Sequence, residues 1–100
     1  MENEIKKLEK EINKLNKKCN LIRQSIPDAE AKLAKLSDLK HSEDAQIRFK
    51  YYEAELALVF LKNELVNSQT LIVFKTNELN ALKQRLDNFE NSAKEKFESQ

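Results

Sequence analysis

The chain has 100 residues, with no glycine, a single proline and 35% charged residues. This composition is typical of a coiled coil or another long-helix protein, and without glycine a Rossmann or P-loop enzyme is excluded. The 18 basic and 17 acidic residues leave a net charge of +1, so bulk attraction to nucleic acid or to an anionic membrane is small.

Targeting signals and cysteine chemistry point to a soluble protein. The N-terminal residues lack the basic segment and apolar run of a secretory signal, and the most apolar stretch, residues 56–61, is far shorter than the roughly 20 residues of a membrane span. We therefore expect a cytoplasmic or otherwise intracellular protein. Cys19 has no second cysteine to pair with, and we expect a buried thiol there.

The first predicted helix covers residues 3–25. Its apolar residues recur at alternating spacings of three and four, which is the a/d pattern of a coiled coil. They are Ile5, Leu8, Ile12, Leu15, Cys19, Ile22 and Ile26. Pro27 removes a backbone donor, so we place a kink there, and Ser25 is positioned to cap a second helix over residues 28–37.

A polar turn is predicted over residues 38–43. Before it, the a/d register continues across the proline through Ala29, Leu33 and Leu36, so the kink should bend one rod without dividing it into domains. Ser42 is the predicted N-cap of the helix that follows the turn.

The long helix is predicted to cover residues 44–97. Its a/d positions are apolar from Ile47 to Ala93, apart from Ser68 and Lys75, and Lys96 interrupts the pattern afterwards. At 1.5 Å per residue the helix would be roughly 75 to 80 Å long. Residues 67–70 are its weakest stretch, but they contain neither glycine nor proline, so we expect the helix to continue through them.

The charges beside this a/d row predict a parallel, in-register dimer. In such a dimer a g residue faces the e residue five positions later on the partner, and the pairs Lys50 with Glu55, Glu78 with Lys83, and Arg85 with Glu90 all have opposite signs. The predicted dimer seam consists of Leu58, Leu61, Leu65, Ile72, Leu79, Leu82, Leu86 and Phe89. Exposed pairs contribute only a few tenths of a kcal/mol each, so these charges select orientation and partner while the seam supplies stability.

The first helix requires a different neighbour. A parallel copy would place Glu4 against Glu9 and Lys18 against Arg23, so an antiparallel partner is expected. The long helix offers a second row of apolar residues, here called the second stripe: Tyr52, Leu56, Val59, Phe60, Val66, Val73 and Phe74. Because a helix with two apolar rows needs two partners, we expect the second stripe to contact the first helix and the seam to contact the dimer mate.

The predicted fold is therefore all-α. It is a single helical domain over residues 1–100, a long helical hairpin with coiled-coil packing that forms a parallel dimer of hairpins. The dimer would have a four-helix section and a two-stranded C-terminal coil from about Leu79. The alternative is a monomeric three-helix bundle, with helices divided near Pro27, Lys40 and Asn67.

No catalytic, cofactor-binding or metal-binding set is predicted. His41 is the only histidine, and although Ser42 and Asp44 are close in sequence, adjacency is not triad geometry. We expect His41 to be a solvated turn residue. One cysteine and one histidine are also too few for a structural zinc site, and we expect no cofactor and no small-molecule substrate.

Two surface features remain as candidate contact sites. Lys6, Lys10, Lys14 and Lys18 lie four apart along the first helix and could follow an anionic partner. Glutamates are interleaved with them and no aromatic recognition motif accompanies them, so a solvated face is the preferred interpretation and nucleic acid is not an expected partner. Phe49 lies off both apolar rows and, with Phe97, is a candidate exposed anchor.

We expect a non-enzymatic coiled-coil interaction or dimerisation module, acting as an adaptor or scaffold in a larger protein assembly. Its expected partners are a second copy and other helical proteins, and no membrane. One alternative is a small helical chaperone or cofactor that binds a client protein; the segment around Pro27 resembles the tubulin-binding cofactor A type of three-helix bundle, but over too few residues to assign a family. The other is a nucleic-acid-associated coil that uses the lysine row.

Overall fold

The computed structural model describes residues 2–98, with side chains up to residue 94. Two long helices, α1 (Glu2–Lys35) and α2 (Ala45–Glu98), are joined by a short 3-10 helix (Ser37–His41). They form an antiparallel hairpin measuring 86 × 16 × 16 Å. The predicted all-helical hairpin is confirmed, and the alternative of a three-helix bundle is wrong because residues 2–98 contain no third long helix.

The helix α1 continues through Pro27, so its division into helices over residues 3–25 and 28–37 is wrong. Ser25 is not the N-cap of a second helix. Its hydroxyl donates to the carbonyl of Leu21 at 2.9 Å within α1. A proline inside a helix costs about 3 kcal/mol. The helix persists because the apolar a/d register is the same on both sides of Pro27, so both parts bury side chains against α2.

The chain reverses without glycine. Within the 3-10 helix the N–H of Leu39 donates to the carbonyl of Leu36 at 2.9 Å, and the N–H of Ser42 donates to the carbonyl of Leu39 at 3.1 Å. Ser42 then adopts an extended conformation, with φ −61° and ψ 142°. None of the described residues has a positive φ, so the reversal uses only backbone geometry that ordinary residues adopt easily.

Asp44 caps the start of α2, and the prediction of Ser42 as N-cap is wrong. The Oδ1 atom of Asp44 accepts the N–H of Gln46, the second residue of the helix, at 2.9 Å. Ser42 lies two residues earlier, and its Oγ accepts the N–H of Asp44 at 3.2 Å. Arg48 fixes the same segment by donating to the carbonyls of Ser42 and Glu43 at 2.6 and 3.0 Å.

The a/d rows of the two helices meet along the hairpin. All ten a/d residues from Ile5 to Leu36 are buried or half-buried, and so is the row of α2 from Ile47 to Leu86. At the open end of the hairpin, the buried residues are Ile5, Leu8 and Leu79, and Ile12, Leu82 and Leu86 pack around them. The apolar contact between α1 and α2 is therefore the core of the molecule.

Small side chains occupy the middle of this core. Cys19 is 1% exposed and Ser68 is 2% exposed. They lie at a similar level, because Lys18, next to Cys19, pairs with Glu64, one turn before Ser68. Small residues let two helices approach closely, which explains why the polar Ser68 is accepted in the apolar row. The predicted burial of Cys19 is confirmed.

The helix α2 is continuous over its 54 residues, including residues 67–70, as predicted. Within that stretch the hydroxyl of Thr70 donates to the carbonyl of Val66 at 2.9 Å, so this polar side chain bonds inside the helix and does not interrupt it. Over the described residues, neither α1 nor α2 has a segment long and apolar enough to cross a membrane.

The cap assignment predicts different costs for two neighbouring substitutions. Asp44→Ala should lower the free energy of unfolding by about 1 kcal/mol, because it removes the acceptor for a helix N–H. Ser42→Ala should cost clearly less, since its hydroxyl accepts an N–H in the turn and none within the helix. Urea denaturation followed by circular dichroism measures both, and a larger loss in Ser42→Ala would contradict the assignment.

Candidate interaction surface

The seam predicted to bind a dimer mate lies inside the hairpin. Leu58 is 8% exposed, and Leu79 packs against Ile5 and Leu8 of α1. Of the predicted seam only Phe89 is exposed, while Leu58, Leu61, Leu65, Ile72, Leu79, Leu82 and Leu86 are buried or half-buried. The helix α1 covers this row. The covered part includes the segment from Leu79, for which the sequence predicts a two-stranded coil with a second copy.

Charges beside the seam also pair within the chain. Among the side chains that the structure describes, four ion pairs connect α1 to α2: Glu9 with Lys83 at 3.5 Å, Glu11 with Lys75 at 2.7 Å, Lys18 with Glu64 at 2.5 Å, and Glu30 with Lys62 at 3.8 Å. These pairs confirm that α1 has an antiparallel neighbour. Lys83, predicted to face Glu78 of a second chain, faces Glu9. The other predicted partner-selecting charges, Lys50, Glu55, Glu78, Arg85 and Glu90, are exposed.

Glu11 and Lys75 form the least exposed of these four pairs. Lys75 occupies an a/d position of α2, and its Nζ lies 2.7 Å from Oε2 of Glu11. The hydrogen bond from Lys75 holds the pKa of Glu11 below its ordinary value of 4.5, because it stabilises the carboxylate. The pair favours the observed register, since it joins a lysine in the a/d row of α2 to a carboxylate of α1.

This pair predicts a pH-dependent difference between the wild type and Glu11→Gln. The folded-state pKa of Glu11 is lowered, so its stabilising effect is complete above about 4.5 and is lost as the pH falls through the folded-state value. Near pH 7 the variant should have the lower Tm, and near pH 2 the two values should converge. Glu90→Gln, an exposed carboxylate outside the four pairs, is the control and should show no such convergence; a pH-independent gap for Glu11→Gln would contradict the prediction.

The second stripe lies on the outer side of α2, away from α1. Its seven residues are all exposed, from 45% for Val59 to 66% for Phe74. The prediction that this stripe contacts the first helix is therefore wrong. At 3.6 residues per turn the stripe and the seam fall on nearly opposite faces of α2, so one antiparallel helix cannot cover both.

The lengths of the apolar rows explain which face of α2 is covered by α1. The a/d row that starts at Ile5 extends over ten positions and needs an equally long apolar surface. The seam of α2 provides one from Ile47 to Leu86, whereas the second stripe stops at Phe74. Pairing with the stripe would have left the N-terminal part of α1 facing polar residues. This comparison of lengths is the sequence signal that could have assigned the faces correctly.

Phe49 extends the second stripe by one turn and is 64% exposed, as predicted. It lies seven residues before Leu56 and hence on the same face, although it was expected to lie off both rows. Phe49 and the second stripe together are called the outer apolar face. From Phe49 to Phe74 this face contains one charged residue, Glu53, which lies seven residues before Phe60; the polar residues on it are Asn63, Asn67 and Thr70. Phe97 lies outside the described side chains.

The outer apolar face is comparable in area to the largest apolar patch on a typical soluble monomer. Outer positions of a coiled coil normally carry charged residues. Four aromatic side chains, each with roughly 150–250 Å² of surface and more than half exposed, alone leave on the order of 500 Å² of apolar surface. They are Phe49, Tyr52, Phe60 and Phe74. Contiguous apolar patches of this size on soluble proteins commonly mark binding sites.

An open apolar groove adjoins the outer apolar face at Phe60. It lies between α1 and α2, has a volume of about 560 Å³, and is lined by Lys18, Ile22, Ala57, Phe60, Leu61 and Glu64. Ile22 and Leu61 belong to the core rows, so Phe60 connects the core to the outer surface. The exposed ring of Phe60 is therefore well placed for contact with a partner.

The lysine row on α1 is divided between solvent and α2. Lys6, Lys10 and Lys14 are exposed, whereas Lys18 pairs with Glu64. An anionic partner would meet three of the four predicted lysines as free side chains on the outer side of α1. The structure thus separates a polar outer surface on α1 from an apolar one on α2.

The residues around His41 serve the turn. His41 is exposed at the end of the 3-10 helix, while the side chains of Ser42 and Asp44 accept backbone N–H groups. Over the part of the chain that the structure describes, no three His, Cys, Asp or Glu side chains are grouped so that they could hold a metal ion.

Comparisons with protein-family models, with curated proteins and with solved structures found no match to this chain.

The division between core and outer apolar face predicts contrasting effects at two adjacent residues. Leu58→Ala should lower the free energy of unfolding by about 2–4 kcal/mol, because it leaves a cavity between the helices. Val59→Ala should change it by no more than about 0.5 kcal/mol, because the side chain is already in solvent. Urea denaturation at low protein concentration measures both, and equal losses would contradict the assignment of the two faces.

Proposed function

We propose that this chain is a non-enzymatic helical interaction module that joins a larger protein assembly through the outer apolar face of α2. The observation that carries the proposal is that Phe49 and the second stripe are exposed together on a face whose one charged residue between Phe49 and Phe74 is Glu53. A helix that exposes apolar anchors at spacings of three and four is suited to pack against another helix or a helical groove.

The charges around this face favour a protein partner over a membrane surface. Helices that lie on anionic membranes carry lysine or arginine beside their apolar face. Between residues 49 and 74 the chain has two basic residues, Lys50 and Lys62, against three acidic ones, Glu53, Glu55 and Glu64. This balance offers no net attraction to anionic lipid, whereas mixed charges at the edge are common at protein interfaces.

The hairpin supports this function mechanically. Packing against α1 buries one side of α2 and keeps a 54-residue helix straight in solution, which an isolated helix of this composition would not achieve. The opposite side is then presented as a preformed surface, so binding does not require ordering of the backbone. A rigid rod with one apolar face is suited to an adaptor or scaffold.

Site-specific photo-crosslinking tests the proposal. A photo-reactive phenylalanine analogue replacing Phe60 should form a discrete protein adduct when the chain is expressed in its native cells, because Phe60 belongs to the outer apolar face and is 64% exposed. Val66→Glu in the same chain should abolish the adduct, since it places a charge in the middle of that face.

The matched control carries the same analogue in place of Lys10, on the outer side of α1, and should give no such adduct. An adduct at Phe60 that persists unchanged in Val66→Glu, or equal adducts at both positions, would contradict the proposed function. Circular dichroism should show unchanged helicity in all three variants, because none of the substituted residues is buried.

A further inference from the structure

The outer apolar face has a heptad repeat of its own. Its central residues alternate at spacings of four and three: Tyr52, Leu56, Val59, Asn63, Val66, Thr70 and Val73. This alternation is the pattern by which two helices pair along their length. Within it Leu56, Asn63 and Thr70 take a positions, and Tyr52 and the three valines take d positions; these are written a′ and d′ to distinguish them from the core rows.

We infer that the partner of this face is a second copy of the chain, aligned in parallel so that Asn63 of one copy meets Asn63 of the other. The inference rests on the proposed function and names its partner. Since α1 covers the opposite side of α2, two hairpins can meet through their α2 helices without a clash, giving the order α1, α2, α2, α1 across the assembly.

Asn63 selects the parallel alignment. A side-chain amide covered by an apolar residue loses its hydrogen bonds to water without replacement. In an antiparallel pair, a′ residues pack against d′ residues, so Asn63 would meet Val59 or Val66. In a parallel, in-register pair the two Asn63 amides face each other and can hydrogen-bond. A single asparagine at an a position is a known determinant of register and orientation.

The residues beside this repeat permit self-association. In the parallel alignment each residue before an a′ position faces the residue five positions later on the other copy. These pairs are Arg48 with Glu53, Glu55 with Phe60, Lys62 with Asn67, and Gln69 with Phe74. None brings like charges together, and two place a phenylalanine against the aliphatic part of a longer side chain. A second copy is therefore electrostatically compatible.

The available area sets the expected strength. Stable complexes bury about 800 Å² on each partner, and the aromatic residues of the outer apolar face supply on the order of 500 Å² of this before the leucine and valines are counted. Valine at d′ is less favourable than leucine in a two-stranded parallel coil. We therefore expect a dimer with a dissociation constant in the micromolar range.

Sedimentation equilibrium on the purified chain tests self-association. At about 100 µM the wild type should have the mass of two chains, and dilution to about 1 µM should shift it toward one chain. Val66→Glu should be monomeric throughout, whereas the control Lys10→Glu, on the outer side of α1, should behave as the wild type. A wild type that stays monomeric at about 100 µM would overturn the inference.

Disulfide trapping tests the alignment. Tyr52→Cys should form a dimer on mild oxidation, because a parallel pair brings the two introduced thiols together; the wild type, whose Cys19 is buried, is the control and should not crosslink. In an antiparallel pair centred on the face, the two thiols would lie roughly 30 Å apart. An antiparallel pair that sets Asn63 against Val59 also sets Tyr52 against Thr70. An oxidised mixture of Tyr52→Cys and Thr70→Cys in which the mixed disulfide predominates would therefore overturn the parallel alignment.

The two proposals fail in different ways. If the purified chain is monomeric but the Phe60 adduct contains a different protein and disappears in Val66→Glu, the second copy is excluded and the interaction module stands. If the chain is monomeric and no adduct forms, both proposals are wrong.

Discussion

The burial of the α1 apolar row against α2 is the contact on which the rest of the structure depends. Ten a/d positions between Ile5 and Leu36 require a continuous apolar surface of equal length, and only the seam of α2 supplies it. Once this contact forms, the position of the turn, the pairing of Glu11 with Lys75 and the exposure of the second stripe follow. Hydrophobic burial thus selects the face, and the ion pairs adjust the register, because exposed pairs contribute little on their own.

Much of this hairpin could be predicted from the sequence, since the a/d spacing, the antiparallel requirement of α1 and the reversal near Lys40 are all local or pairwise patterns. The face of α2 used by α1 could not be assigned from charge signs alone. Lys83 is attracted equally to Glu78 of a parallel copy and to Glu9 of an antiparallel neighbour. Charge patterns restrict the possible pairings, but two arrangements can satisfy the same set of signs.

Local signals failed where tertiary packing opposed them. Pro27 predicts a helix end, yet the loss of one hydrogen bond is smaller than the gain from keeping the apolar register on both sides of it. Ser42 and Asp44 are both good N-caps by residue type. Which of them caps α2 depends on where the 3-10 helix ends and α2 begins. The positions of helix ends and N-caps therefore depend on contacts between residues distant in sequence, and residue propensity alone does not determine them.

The composition of the outer side of α2 distinguishes residues that the fold requires from residues that are available for binding. Beyond Phe74 this side becomes polar, with Asn77, Asn80, Gln84 and Asp87 at the corresponding positions, while the core row continues to Leu86. Folding of the hairpin requires the same property of the outer side of α2 before and after Phe74, namely compatibility with water. An apolar surface confined to the half nearer the turn therefore serves something other than the fold. The proposed partner would cover only this half, in agreement with the boundary at Phe74.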